Sequence, residues 1–209
     1  MKHRVWSLTV VLLALALAPA LAQSLYSNGP INGTVDGWTI NFGFVVSDTF
    51  TLNSPATPIG IQFSAWLFPG DVLEDVEVVI TSSEFGGTSY FDQVVSFTQQ
   101  TNCPTNGYGF DVCVETGSFT VPPNLAAGTY WLNLENAVVN DGDPVYWDEN
   151  SGPSLASESS VGTIPSESFT INGECEGEGC GASPEPSSIM LLGSGLLALT
   201  PLARLKMRR

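Results

Sequence analysis

Between Gln23 and Ala203 this sequence has no lysine, no arginine and no histidine; its six Lys and Arg and its single His all lie at the two ends of the 209-residue chain. Each absence removes a class of chemistry. Without imidazole or amine there is no base for a Ser-His-Asp triad, a Cys-His pair or a Ser-Lys dyad, and no imidazole ligand for a catalytic zinc. Without cationic side chains there is no clamp for phosphoryl groups and no footing for a nucleic-acid backbone. Chemistry that carboxylates perform unaided remains, such as glycoside hydrolysis by two Asp or Glu residues about 5 to 9.5 Å apart. Neither Asp-Thr-Gly nor Asp-Ser-Gly occurs, nor does Glu-x-Asp-x-x-Glu. No catalytic pair stands out, and the chain reads as a non-enzyme.

Acid fills the space left by the missing bases. All 21 Asp and Glu residues lie between the two basic ends, so removing the 6 bases takes the formal charge from −15 to −21. Such a surface repels phosphate backbones and anionic lipid headgroups, which argues against nucleic-acid binding and peripheral membrane docking. Cations are its natural partners, calcium first among candidate cofactors.

The ends themselves are addresses. Met1 to Arg4 is basic, Val5 to Leu17 is apolar, and Ala20-Leu21-Ala22 places small residues two apart before Gln23, the pattern of a secretory signal peptide over 1–22. At the other end, no charge interrupts the stretch between Glu185 and Arg204, and the apolar part, about 187–203, is near the shortest length that spans a bilayer. Arg204, Lys206, Arg208 and Arg209 follow and hold the tail 204–209 in the cytoplasm by the positive-inside bias.

Pro184-Glu185-Pro186, the short apolar helix with Gly193 and Gly195, and the basic terminus together resemble a PEP-CTERM sorting signal over 184–209. The resemblance implies a substrate of exosortase, a membrane-embedded protease that processes near the Pro-Glu-Pro, in a Gram-negative bacterium that makes exopolysaccharide. The three residues are then a processing motif without a catalytic role. The implied route runs through an inner-membrane intermediate, anchored only by the C-terminal helix, to the cell surface or extracellular matrix.

The body, 23–171, alternates with period two. Trp38, Ile40, Phe42 and Phe44 form one expected strand, and Ile59, Ile61, Phe63, Ala65 and Leu67 another, ended by Pro69-Gly70-Asp71. Further short runs separated by Gly, Pro, Asn and Asp, with no amphipathic helix among them, predict an all-β, antiparallel β-sandwich of jelly-roll or Ig-like type. Leu125-Ala-Ala-Gly-Thr-Tyr130 resembles a tyrosine corner, which would turn Tyr130, Leu132 and Leu134 toward the core. Asn172 to Ser183 is Gly- and Glu-rich and reads as a solvated linker.

Four cysteines allow three connectivities, and spacing favours Cys103 with Cys113 and Cys175 with Cys180, as suits an oxidising compartment. A thiolate metal site is the alternative.

The most chemically suggestive internal stretch is Asn140 to Gly152. It collects Asp141, Asp143, Asp148 and Glu149, oxygen ligands of the kind Ca²⁺ requires, although the spacing is not that of an EF-hand. Tyr146 and Trp147 are candidate faces for a sugar ring. A solvated acidic loop with Trp147 capping the sandwich is the competing reading. The function expected from all this is a structural or adhesive matrix protein associated with exopolysaccharide. A carbohydrate-binding module, calcium-dependent or not, is the alternative, with Trp66 and Trp131 as further stacking candidates, and a carboxylate-only glycan hydrolase is the third.

Overall fold

A computed structural model describes residues 23–175, and every described residue outside loops is in a strand or bridge. The signal segment 1–22, the part of the linker beyond Cys175, Cys180, and the whole sorting tail with Pro184, Glu185 and Pro186 lie outside the described residues. The strands in chain order are β1 (Gln23–Ser27), β2 (Gly37–Thr39), β3 (Val45–Leu52), β4 (Ala56–Leu67), β5 (Leu73–Ser83), β6 (Gly86–Gln99), β7 (Asp111–Ser118), β8 (Gly128–Val139), β9 (Tyr146–Asp148), β10 (Ala156–Glu158), β11 (Gly162–Ile164) and β12 (Phe169–Cys175).

All pairings are antiparallel. They run β1-β12-β4-β7-β6-β5-β8-β3-β10-β11, with β9 joining β4 to β2 at one end. The two halves of this path are connected through β6. Its first part pairs with β5, and Phe97 to Gln99 pair with β7, so a single sheet curls back on itself into a sandwich-like form. Gly117 permits the crossing: a Cβ there would lie 2.7 Å from the Phe97 ring, which instead packs edge-on against Phe63 with centroids 5.3 Å apart.

Period-two patterning supplies the core. On β4 the side chains of Ile61, Phe63, Ala65 and Leu67 are buried, and Val76, Val78 and Ile80 of β5 and Leu132 and Leu134 of β8 meet them from the other half. At about 25 cal/mol per Å² of apolar surface, burial on this scale is the main stabilising term. Tyr130 is buried against this core, and its hydroxyl donates to the Ala126 carbonyl at 3.0 Å, so the tyrosine corner forms. Tyr130→Phe is expected to lower unfolding free energy by about 1 kcal/mol without altering the fold, measured by urea denaturation.

Two expected elements differ. The alternation from Trp38 to Phe44 does not become one strand: β2 stops at Thr39, and a turn at Phe42 (φ 57°) and Gly43 (φ 87°) leaves Phe42 and Phe44 exposed. Asn41 is drawn inward by two hydrogen bonds to the 143–145 backbone, which breaks the ladder. Conversely β12 continues through Asn172 to Cys175, into the stretch read as linker, because backbone pairing with β4 and β1 needs no apolar side chain.

Candidate functional site

The elements at one end of the curl bring aromatic rings together on the surface. Trp66, near the end of β4, lies opposite Tyr146 of β9 in register. Tyr108 and Phe110 reach the same place from the β6–β7 loop. The Cys103–Cys113 disulfide closes that loop, as spacing predicted, and Asn106 stiffens it. The Asn106 Oδ1 accepts from the backbone N–H groups of both Tyr108 and Phe110 at 3.0 Å, and its own N–H donates to the Phe110 carbonyl at 2.8 Å. Tyr108 stacks on Trp66 (centroids 5.7 Å, 22° between planes), while Phe110 meets Tyr146 edge-on at 5.4 Å and Phe68 at 4.9 Å.

The resulting cleft has a volume of about 390 Å³, and Asp36 is the one carboxylate among its lining residues. Tyr108 is 64% exposed. Gly37 forms part of the wall, since a Cβ there would sit 3.0 Å from the Tyr146 Cβ and 3.3 Å from the Trp66 ring. A hollow of similar size, about 400 Å³, lies over β4 and β12 and includes Ile31, Gln62 and Val114, but no ionisable group lines it. The aromatic cleft combines ring faces with a hydrogen-bonding carboxylate, the composition of a small-ligand site.

Beneath the cleft, Asp148 is fully buried and holds three donors. Trp66 Nε1 and Gly33 N–H donate to its Oδ1 at 2.7 Å each, and Asn32 N–H donates to Oδ2 at 2.8 Å. Burial raises the Asp148 carboxyl, and these hydrogen bonds oppose the rise. Asp148 thus orients the Trp66 indole and ties the N-terminal loop to the cleft floor.

Behind it lie further carboxylates with no cation beside them. Glu149 Oε2 accepts from Trp38 Nε1 at 3.0 Å. Asp48 accepts from the N–H groups of Thr49 and Glu167 and from the Asn28 amide; burial nevertheless pushes its carboxyl up to about 6. Glu167 is fully buried, and neither carboxylate oxygen has a hydrogen-bond partner. Burial, then the charges of Asp48, Glu149, Asp148 and Asp36, drive its carboxyl well above the usual range.

The 140–150 stretch therefore splits in two. Asp141 and Asp143 stand on a surface loop, and they converge with Asp71 of the β4–β5 turn, with one carboxylate oxygen of each within 4.8 Å of the others. Burial, then Asp141 and Asp143, push the Asp71 carboxyl up to about 6. Asp148 and Glu149 belong to the buried interior, so the expected four-carboxylate calcium set does not assemble. The solvated-loop reading fails for 145–150 as well, since these residues pair with β2 and β4 or lie beneath the surface. Trp147 is wholly buried, with its Nε1 donating to the Ser168 carbonyl at 2.9 Å, and has no face to offer a sugar. Tyr146 does reach the cleft. Cys175 is disulfide-bonded, which leaves no described cysteine free for a thiolate metal site.

Sequence reasoning missed Asp36, Tyr108, Phe110 and Asp71. A signal for two of them was present: Asn106-Gly-Tyr-Gly-Phe110 between paired cysteines displays aromatics on a tight, stapled turn. No protein-family model matches the chain, and a search of curated proteins returns no match.

Proposed function

We propose that the chain is an exported, non-enzymatic surface or matrix protein that holds polysaccharide in the aromatic cleft. The cleft itself carries the reading. Tyr108, Phe110 and Tyr146 line the cleft together with Asp36, and apolar sugar faces stack on such rings while a carboxylate accepts hydrogen bonds from hydroxyls. A single carboxylate in the lining supports binding over hydrolysis, which needs two. The missing cations make a neutral or cation-bridged glycan the better partner than a bare polyanion.

Delivery rests on the terminal segments. The signal peptide exports the chain, the C-terminal helix holds it in the inner membrane, and exosortase processing near Pro184-Glu185-Pro186 releases it to the surface or matrix of a Gram-negative cell. The Cys103–Cys113 disulfide supports an oxidising destination.

Co-sedimentation of the full-length protein with exopolysaccharide from the producing cells tests the reading. The parent pellets with the polysaccharide, and Tyr108→Ala lowers its affinity at least about tenfold, because an exposed stacking face is removed. Equal pelleting of parent and variant would refute the cleft as the binding site.

A further inference from the structure

We infer that Asp71, Asp141 and Asp143 form a calcium site joining the β4–β5 turn to the β8–β9 loop. The inference stands apart from glycan binding and concerns a different set of atoms. Asp71 is only 5% exposed, its Oδ2 is buried without a hydrogen-bond partner, and its carboxyl is turned toward those of Asp141 and Asp143. Asp143 is half-buried and Asp141 exposed, which leaves an open side for solvent ligands.

Like charges at this spacing repel one another, and more strongly near a protein surface than in bulk water, so unrestrained loops would separate them. Three amide side chains prevent that. Asn140 Oδ1 accepts from Val72 N–H at 2.7 Å, and Asn140 N–H donates to the Val72 carbonyl at 3.3 Å, which clamps the two loops together. Gln99 donates to the Asp71 carbonyl at 3.2 Å and accepts from Leu73 N–H at 3.0 Å. Asn41 does the same for the other loop, donating to the Asp143 carbonyl at 3.0 Å and accepting from Val145 N–H at 3.3 Å.

The backbone beneath two of the three carboxylates is thus pinned in a converged arrangement, and the described residues include no Lys, Arg or His that could neutralise them. A divalent cation satisfies the orphaned Asp71 oxygen and cancels most of the local charge. Three convergent carboxylates with an open side for water suit the larger coordination shell of Ca²⁺ better than the rigid octahedron of Mg²⁺, which is usually held by one or two.

The test uses the full-length protein in mild detergent, stripped with chelator and titrated with CaCl₂ at constant ionic strength by calorimetry, with MgCl₂ in parallel. Saturable binding of one Ca²⁺ is expected, with a rise in melting temperature, and at least about tenfold weaker binding in both Asp71→Asn and Asp143→Asn. Circular dichroism establishes that each variant is folded. No saturable binding at millimolar Ca²⁺, or binding unchanged in both folded variants, would overturn the site. Asp71→Asn raising the melting temperature while the parent ignores Ca²⁺ would overturn it too, since a shared proton would then bridge the trio. Calcium binding without polysaccharide pelleting upholds this site and refutes the cleft reading, and the reverse result does the opposite.

Discussion

Raising the pH from about 4.5 to about 8.5 is expected to lower the unfolding free energy by on the order of 5 kcal/mol or more, and Glu115→Gln to make the slope above about pH 6 distinctly shallower. Glu115 lies on β7 opposite Phe63 of β4 and Gln99 of β6. It shares the core-facing side with Cys113 and Gly117, is fully buried, and has no hydrogen-bond partner for either oxygen. Burial alone pushes its carboxyl up to about 8 from an ordinary value of 4.5.

For an acid raised in this way, the folded protein keeps a proton that the unfolded chain releases. Stability from that proton is intact below the unfolded value and is lost progressively as pH climbs to the folded one. Each unit corresponds to about 1.4 kcal/mol, so Glu115 accounts for on the order of 4–5 kcal/mol by about pH 8. Asp48, raised to about 6, contributes to the loss at lower pH, and Glu167 contributes in the same direction. Urea denaturation across the pH range measures the profile. Relative to the parent, Glu115→Gln should gain several kcal/mol at about pH 8.5 and remain within about 1 kcal/mol at about pH 4.5. A flat parent profile, or a slope unchanged by the substitution, would show that Glu115 is not held as a neutral acid.

Asp148→Ala is expected to cost on the order of 3–6 kcal/mol, since it orphans the Trp66 indole and the N–H groups of Asn32 and Gly33 in a buried site. Asp148→Asn should cost less, because Oδ1 can still accept from two of the three donors. Both act on the cleft through the orientation of Trp66, so the near-ultraviolet circular dichroism of the tryptophans should change along with the affinity for polysaccharide. Asp148→Ala with an unfolding free energy within about 0.5 kcal/mol of the parent would refute the anchoring role.

These two residues also show where sequence reasoning stops. Glu115 occupies an inward position in a run that reads Val-Cys-Val-Glu-Thr-Gly, but alternation does not distinguish an inward acid from an outward one until the register with Phe63 is known. Asp148 was read as a solvated ligand because acid-rich loops are commonly exposed. The fold makes it a buried acceptor, since β9 is laid between β2 and β4 and three donors from distant segments meet there. Asp71 was only a turn residue by sequence; its separation from Asp141 along the chain hid a contact that exists because Val72 and Asn140 hydrogen-bond across two loops.

The sequence by itself determined the all-β character, the inward faces of β4 and β8, the tyrosine corner at Tyr130, the Cys103–Cys113 pairing and the acidity of the body. All of these follow from local rules: a period of two, short loop closure, and charge that can be counted along the chain. The tertiary structure alone decided which acids are buried, which tryptophan lies inside, and which rings share a cleft. Those outcomes depend on strand register and on loops brought together from opposite ends of the chain. A one-residue change of register exchanges inside for outside without altering the composition of any strand.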